Sequence, residues 1–304
     1  MEEVKITDDF GMPEFRKNFK DLEFTDDFMF CASLTDNPDI CKELAEMVLG
    51  RSITKIVKLQ DQKAIRIMPD GKGVRFDVTL EGEDEICDIE MQNVIDMEVI
   101  AKRSRYYQSA SDIDYLVKGR DYTKLKKSYI IFMTTKKLFE DSDLHIFRFR
   151  NICAEDKSIE LGDETEKIFL TTAGTADDIT PEMEALMAYM TDKKTKTDFT
   201  KRLDEAIERI KAGEGWRLEY FQLKEKLDNS YNAGKISGKR EGLIEGKKEE
   251  KKEGKREGSI ETLIEAYRDF GATDEQIKAK LKERFGLDLG EAEDYLKKVA
   301  KVKN

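Results

Sequence analysis

The sequence predicts a mixed α/β (α+β) domain, a central mixed sheet flanked by helices, followed by a charged helical C-terminal extension. Residues 74–92 alternate with a period of two, residues 93–118 read as a long helix lying between that segment and later strands, and after Thr180-Pro181 helical patterns dominate. A helix bounded by strands on both sides is the pattern of an α/β or α+β domain.

Taken in order, residues 24–49 open with Thr25-Asp26-Asp27 and carry Phe28, Phe30, Ile40, Leu44, Met47 and Val48 at helical spacing, broken near Asn37-Pro38. Residues 74–80 alternate as a strand and residues 86–92 as its partner, joined by the acidic, Gly-containing stretch 81–85, which predicts a β-hairpin. The helix over 93–118 is expected to close at Gly119. Residues 127–134 form a continuous apolar run expected of a buried strand, with shorter strands over 145–149 and 167–171. Thr180 followed by Pro181 is a cap with Pro at the first helical position, and residues 181–190 and 198–229 are amphipathic, with a break at Ala212-Gly213-Glu214-Gly215.

Residues 233–258 read AGKISGKREGLIEGKKEEKKEGKREG, with Gly234, Gly238, Gly242, Gly246, Gly254 and Gly258 on a four-residue grid. Each Gly weakens a helix by roughly 1 kcal/mol relative to Ala, so a solvated charged linker is one reading. The Lys/Glu alternation also permits i,i+4 pairs, and a self-associating helix is the other reading. Residues 259–304 hold three short amphipathic patterns, the second opened by Thr273-Asp274-Glu275-Gln276, a capping-box signature. The expected division is therefore 1–190, a main domain; 191–232, a helical extension; 233–258, the repeat; and 259–304, a small helical module.

Composition narrows the function classes. Of 304 residues, 39% are charged and 39% apolar, with a net charge of -11, and residues 1–185 carry 26 basic against 40 acidic residues while residues 186–304 carry 28 against 25. An acidic main domain is not a general polyanion binder, because non-specific nucleic-acid affinity comes from Lys and Arg on phosphates, so any nucleic-acid site must be local. No apolar run approaches a membrane span, and Met1 to Phe10 mixes Glu, Lys and Asp where a secretory signal needs an apolar stretch. The four cysteines have no CxxC pair, which fits reduced thiols in a cytoplasm. With one histidine, His145, multi-histidine metal sites are excluded and carboxylate chemistry is expected; His145 and Trp216 read as packing residues.

The hairpin carries that chemistry. Val74, Phe76, Val78 and Leu80 are expected on one face, Arg75, Asp77 and Thr79 on the other; Cys87, Ile89 and Met91 face the core, with Ile86, Asp88, Glu90 and Gln92 opposite. An even loop then puts Asp77 on the face of Asp88 and Glu90. Converging carboxylates form a hard-oxygen site of the kind Mg²⁺ or Mn²⁺ prefers. The alternative is an ordinary hairpin with a solvated polar face.

FDVTLEGEDEICDIEMQN, preceded by Asp27-Phe28-Met29-Phe30 and followed by RSRYYQ and KGRDYTKLKKSYIIFM, resembles the recombination-promoting nuclease and putative transposase family of the PD-(D/E)XK nuclease superfamily, over about residues 20–190. The Gly/Lys/Glu repeat and short helical tail are similar to that family's usual ending. The resemblance implies a restriction-endonuclease-like fold and Mg²⁺- or Mn²⁺-dependent hydrolysis of DNA phosphodiesters in a bacterial cytoplasm, in a setting of recombination, transposition or phage defence. It also implies a site of Asp77, Glu90 and Gln92, with Asp77 and Glu90 on the metal. Gln92 stands where the superfamily usually has Lys, although the family it most resembles typically has Gln there. The loss of the ammonium removes a charge that would hold the attacking water, while an amide can still orient it. Asp27, Glu43 and Asp88 are candidates for an additional acid, and Arg103 with Tyr107, at i,i+4 on the next helix, for a phosphate and base contact. The competing class is a nuclease-fold protein that has lost activity and acts as a nucleic-acid-binding or protein-interaction module. The C-terminal helical region is the expected route to a homo-oligomer.

Overall fold

The computed structural model describes residues 17–65, 74–116 and 121–302, so the expected helix stop at Gly119, the segment Met1 to Phe10 and the side chain of Val74 lie outside the described residues. The chain divides into two compact units, Met1–Lys224 and Glu225–Asn304.

The first unit is built on a six-stranded mixed sheet. Its strands are β1 (Ile56–Asp61), β4 (Val78–Gly82), β5 (Glu85–Gln92), β6 (Lys127–Thr134), β7 (Ile146–Phe149) and β8 (Thr165–Thr171), while β2 (Ala64–Ile65) and β3 (Val74–Arg75) form a separate two-stranded sheet. The order is β1-β4-β5-β6-β8-β7; β5 runs parallel to β6 and β6 to β8, whereas β1–β4, β4–β5 and β7–β8 are antiparallel. The parallel step from β5 to β6 requires a crossover, and α3 (Met97–Tyr115) supplies it. The N-cap of α3 is Asp96, whose carboxylate accepts the N–H groups of Glu98 and Val99 at 3.0 and 3.3 Å.

Both faces of the sheet are covered. On one, Ile130 and Phe132 of β6 pack beneath Ile100, Tyr107 and Ala110 of α3, joined by Phe76 and Phe169. On the other, Met133 and Leu170 meet Met183, Leu186, Met187 and Met190 of α4 (Pro181–Asp192), and α1 (Asp27–Thr35) packs on β1 and β4. α2 (Pro38–Leu49) begins at the expected Pro38 break and ends at Gly50, whose left-handed φ of 70° a side chain rarely adopts. α5 (Asp198–Ala212) starts with a Thr197 capping box and stops at Gly213, where α6 (Glu214–Asp269) begins.

Two expectations for the hairpin are corrected. The predicted strand 74–80 is interrupted at Phe76-Asp77: Phe76 leaves the face of Val78 and Leu80 and stacks edge-on to Tyr107 at 5.0 Å. The solvated polar face does not exist either, since Asp88 and Glu90 are both 0% exposed. A central strand with layers on each side buries polar and apolar alternates alike, which periodicity by itself does not reveal. β1 escaped the sequence reading because its six residues alternate poorly.

In the second unit, Ile260, Leu263 and Ile264 of α6 pack with Ile277 and Leu281 of α7 (Asp274–Phe285), and with Leu287 and with Ala292, Leu296 and Val299 of α8 (Leu289–Val302). The capping box at Thr273 and Gln276 is present. The glycine grid lies within α6 and is helical and exposed, with open space around each of its glycines. Among the described residues no helix is long and apolar enough to cross a membrane.

Candidate active site

The site lies at the C-terminal end of β5. Val78 pairs with Ile89 and Thr79 with Asp88, a register whose next step sets Asp77 against Glu90. The interruption of the strand at Phe76-Asp77 takes Asp77 out of the regular ladder, and side chains replace the lost bonds. The N–H of Asp77 donates to Glu90 Oε1 at 2.9 Å, and Asp77 Oδ2 accepts the N–H of Met91 at 3.0 Å.

Arg103 enters from α3. Its Nη2 donates to Glu90 Oε2 at 2.8 Å and its Nη1 to Gln92 Oε1 at 2.9 Å. Gln92 in turn donates from Nε2 to the carbonyl of Met91 at 2.8 Å. The guanidinium lies 4.7 Å from the Tyr107 ring centroid and 5.6 Å from that of Phe132, the range of cation–π attraction. A buried carboxylate is costly unless paired and hydrogen-bonded. Even so, burial first and the charge of Asp77 second push the Glu90 carboxyl well above the usual carboxylate range, with Arg103 pulling the other way.

Asp27 belongs to the same neighbourhood. Asn93, just past β5, donates to the carbonyl of Thr25 at 2.9 Å and so ties the approach to α1 to the end of β5. Cys31, one helical turn after Asp27 and on the same face of α1, places its thiol 3.5 Å from the carbonyl of Asp77. Burial raises the pKa of that thiol, and the charges of Asp77, Asp27, Asp61 and Glu90 raise it further. Asp61, at the end of β1 and paired with Val78, is the acid in this group that sequence reasoning missed, because the strand carrying it was missed.

The other candidates take different places. Asp88 is buried under α3, where its Oδ1 accepts from Thr79 Oγ1 at 2.6 Å; burial lifts its pKa to about 6 against hydrogen bonds from Thr79 and Ser111. It is a fully buried acid two residues from Glu90. Glu43 is paired with Arg202 of α5, which also binds Asp198 at 2.9 Å, so it ties α2 to α5. Tyr107 offers no open ring to a base: it is 8% exposed, packed between Phe76 and Phe132, with its hydroxyl donating to the carbonyl of Arg75 at 3.2 Å. Arg103 is turned into the carboxylates. His145 pairs through Nδ1 with Asp178 at 2.8 Å, and Trp216 meets Phe28 edge-on at 6.2 Å.

The donor set fits a hard divalent cation. Asp77 and Glu90 offer carboxylate oxygens that destabilise each other's charge, a cost that a cation between them would relieve. Among the described residues no group of three or more His, Cys, Asp or Glu is placed to hold a metal ion. Mg²⁺ is commonly held by one or two carboxylates, with water and substrate phosphate completing its shell, so Asp77 and Glu90 are the protein ligands such an ion would have here.

Comparison with known proteins adds one result: the family model for PD-(D/E)XK nuclease family transposases matches residues 23–231, more than two thirds of the chain. No curated protein and no solved structure matches significantly. The mixed six-stranded sheet with flanking helices is consistent with the PD-(D/E)XK fold, and membership of that superfamily implies a hydrolase acting on nucleic acids. The match over residues 23–231 and the sheet architecture together place this chain in the PD-(D/E)XK nuclease family transposases.

Proposed function

We propose that the protein is a DNA endonuclease dependent on Mg²⁺ or Mn²⁺, with Asp77 and Glu90 as metal ligands, Gln92 as the group that orients water, and Asp27 as an additional acid. The observation that carries this reading is the convergence of all three motif positions in one hydrogen-bonded cluster, Asp77 to Glu90 and Glu90 through Arg103 to Gln92. PD-(D/E)XK nucleases generally use divalent metal ions. Bound by Asp77 and Glu90, the ion would lower the pKa of the attacking water and neutralise charge on the scissile phosphate.

The protein's own groups do the rest. The N–H of Asp77 and the guanidinium of Arg103 hold the two oxygens of Glu90 in fixed directions, so its remaining lone pairs are aimed before any ion arrives. Gln92 keeps one N–H after its bond to the Met91 carbonyl, and that proton can hydrogen-bond a water beside the carboxylates. In this reading the second unit, with the glycine grid, modulates access to DNA or mediates self-association, and transposition or recombination is the biological setting.

The test is incubation of purified protein with supercoiled plasmid in Mg²⁺, in Mn²⁺ and in EDTA. Nicking or linearisation with either metal and none in EDTA is expected; cleavage indifferent to EDTA would remove the metal, and no cleavage with either ion would favour a binding module instead.

A further inference from the structure

We propose that Arg103 supplies the positive charge that position 92 lacks, acting as a positioning residue that carries the missing cation into the site through Gln92 and Glu90. This rests on the nuclease reading of the same site.

In the superfamily pattern the residue two positions after the acidic strand residue is usually Lys, and here Gln92 brings a neutral amide. The structure returns a cation to that place from another element. Arg103 lies eleven residues further along, on α3, and its Nη1 touches Gln92 Oε1 while its Nη2 touches Glu90 Oε2. Two nitrogens of one rigid planar group thus fix two side chains relative to each other, which a lysine's single point charge does less well.

The guanidinium is itself held in place. Tyr107 and Phe132 stack against it, and Tyr107 is pinned in turn by its bond to the Arg75 carbonyl. The Arg103 side chain is 31% exposed, so the charge is neither sealed in the core nor free to sweep solvent for a phosphate. A second consequence concerns Gln92. Because Arg103 takes Oε1, the amide is oriented with its NH₂ away from the guanidinium, one proton on Met91 and one left for a water or phosphate oxygen. Without Arg103 the amide is free to flip, and the site loses both its charge and its donor direction.

The experiment compares Arg103→Met, Arg103→Lys, Gln92→Lys and the double variant Gln92→Lys/Arg103→Met in the full chain. It reads plasmid cleavage and, separately, Mn²⁺ binding by titration calorimetry in the absence of DNA. Arg103→Met is expected to cleave about 100-fold more slowly while binding Mn²⁺ as tightly as wild type or tighter, since a like charge beside Glu90 has gone. Gln92→Lys puts a second cation against Arg103 and is expected to cost about tenfold, whereas the double variant, with one cation again, recovers to within about tenfold of wild type. A structural role for Arg103 moves both readouts down together and gives no rescue. Equal cleavage by wild type and Arg103→Met, a double variant no faster than Arg103→Met, or Mn²⁺ affinity falling in step with rate would each overturn the proposal. Should Arg103→Met fail to fold, Arg103→Lys decides: kcat lowered about tenfold at unchanged KM supports it, and unchanged kcat overturns it. A wild type that neither binds Mn²⁺ nor cleaves is a separate result, which ends the nuclease reading and this inference with it.

Discussion

The backbone N–H of Asp77 donates to Oε1 of Glu90 at 2.9 Å, so the two acids are joined directly through the main chain of one and the side chain of the other. Asp77 therefore has two tasks, one for its backbone, which orients Glu90, and one for its carboxylate, which accepts from Met91. The acids should separate when each is made neutral. Glu90→Gln relieves a charge whose ionisation burial and Asp77 oppose, but it turns an NH₂ toward the Asp77 N–H or Arg103 where each now meets an accepting oxygen, so it is expected to melt within a few degrees of wild type while cleavage falls at least about 100-fold. Asp77→Asn is expected to lose cleavage similarly and to melt lower, because its amide presents either a donor or a weaker acceptor to the Met91 N–H. Thermal melts run alongside plasmid assays check both; unchanged cleavage in the two variants would remove the site.

Gln92 can be tested apart from the metal. Its amide makes contacts to Arg103 and to the Met91 carbonyl and is the neutral member of the cluster. Gln92→Ala is expected to slow cleavage by about 10² to 10³ while leaving DNA affinity and Mn²⁺ affinity within a few-fold of wild type, the signature of a group acting in the transition state. Filter binding of DNA in Ca²⁺ and calorimetry with Mn²⁺ supply the two controls. Parallel loss of rate and Mn²⁺ affinity would make Gln92 a ligand instead.

Much of this site was legible in the sequence, for reasons particular to each residue. The alternation of residues 87–92 puts Asp88, Glu90 and Gln92 on one face, but the register comes from the turn: β4 runs to Gly82 and β5 starts at Glu85, so the turn is Glu83-Asp84 and not the whole stretch 81–85, and that shorter turn sets Asp77 against Glu90. What alternation does not encode is the third dimension. The burial of Asp88 and Glu90 depends on α3 lying over the hairpin, and the inward turn of Arg103 depends on which face of α3 meets Glu90. Glu43 was unreadable for a similar reason: Arg202, its partner, is 159 residues away. The break at Phe76-Asp77 had no signal in a run that alternates through it, because the edge-on contact of Phe76 with Tyr107 is made to a distant helix that alternation does not encode.

The first helices are anchored by the start of α6. Tyr220 is 1% exposed, its ring lies 5.2 Å from that of Phe28 and 5.7 Å from that of Phe19, and its hydroxyl donates to the carbonyl of Lys17 at 2.9 Å. Tyr220→Ala is expected to cost about 3–5 kcal/mol by urea denaturation. A chain ended at Asn232 retains this ring and should keep its fold and metal-dependent cleavage, whereas one ended at Gly213 loses Trp216 and Tyr220 together and should be unstable. Aggregation of the 1–232 chain would show that the second unit is needed by the first.

Asp178 offers a pH test at a distance from the carboxylate cluster. Its carboxylate accepts the backbone N–H of His145 at 2.9 Å and that of Ile146 at 3.3 Å, and lies 2.8 Å from His145 Nδ1, pinning the start of β7. Burial opposes ionisation of Asp178, but the bonds from His145 and Ile146 outweigh it and hold the carboxyl below its ordinary value. A carboxyl whose pKa is lower in the folded chain than in the unfolded one adds stability above the unfolded value, about 3.9, and that contribution is lost as pH falls through the folded value. Asp178→Asn has one acceptor oxygen and no charge, so at pH 7 it is expected to melt a few degrees below wild type. The gap should shrink as pH is lowered from about 5 toward 3, because protonation brings wild type to the state the variant already occupies. Melting curves of both proteins at half-unit steps over that range measure it; a gap that stays constant with pH would mean that the carboxylate contributes packing alone and that its charge does not hold β7.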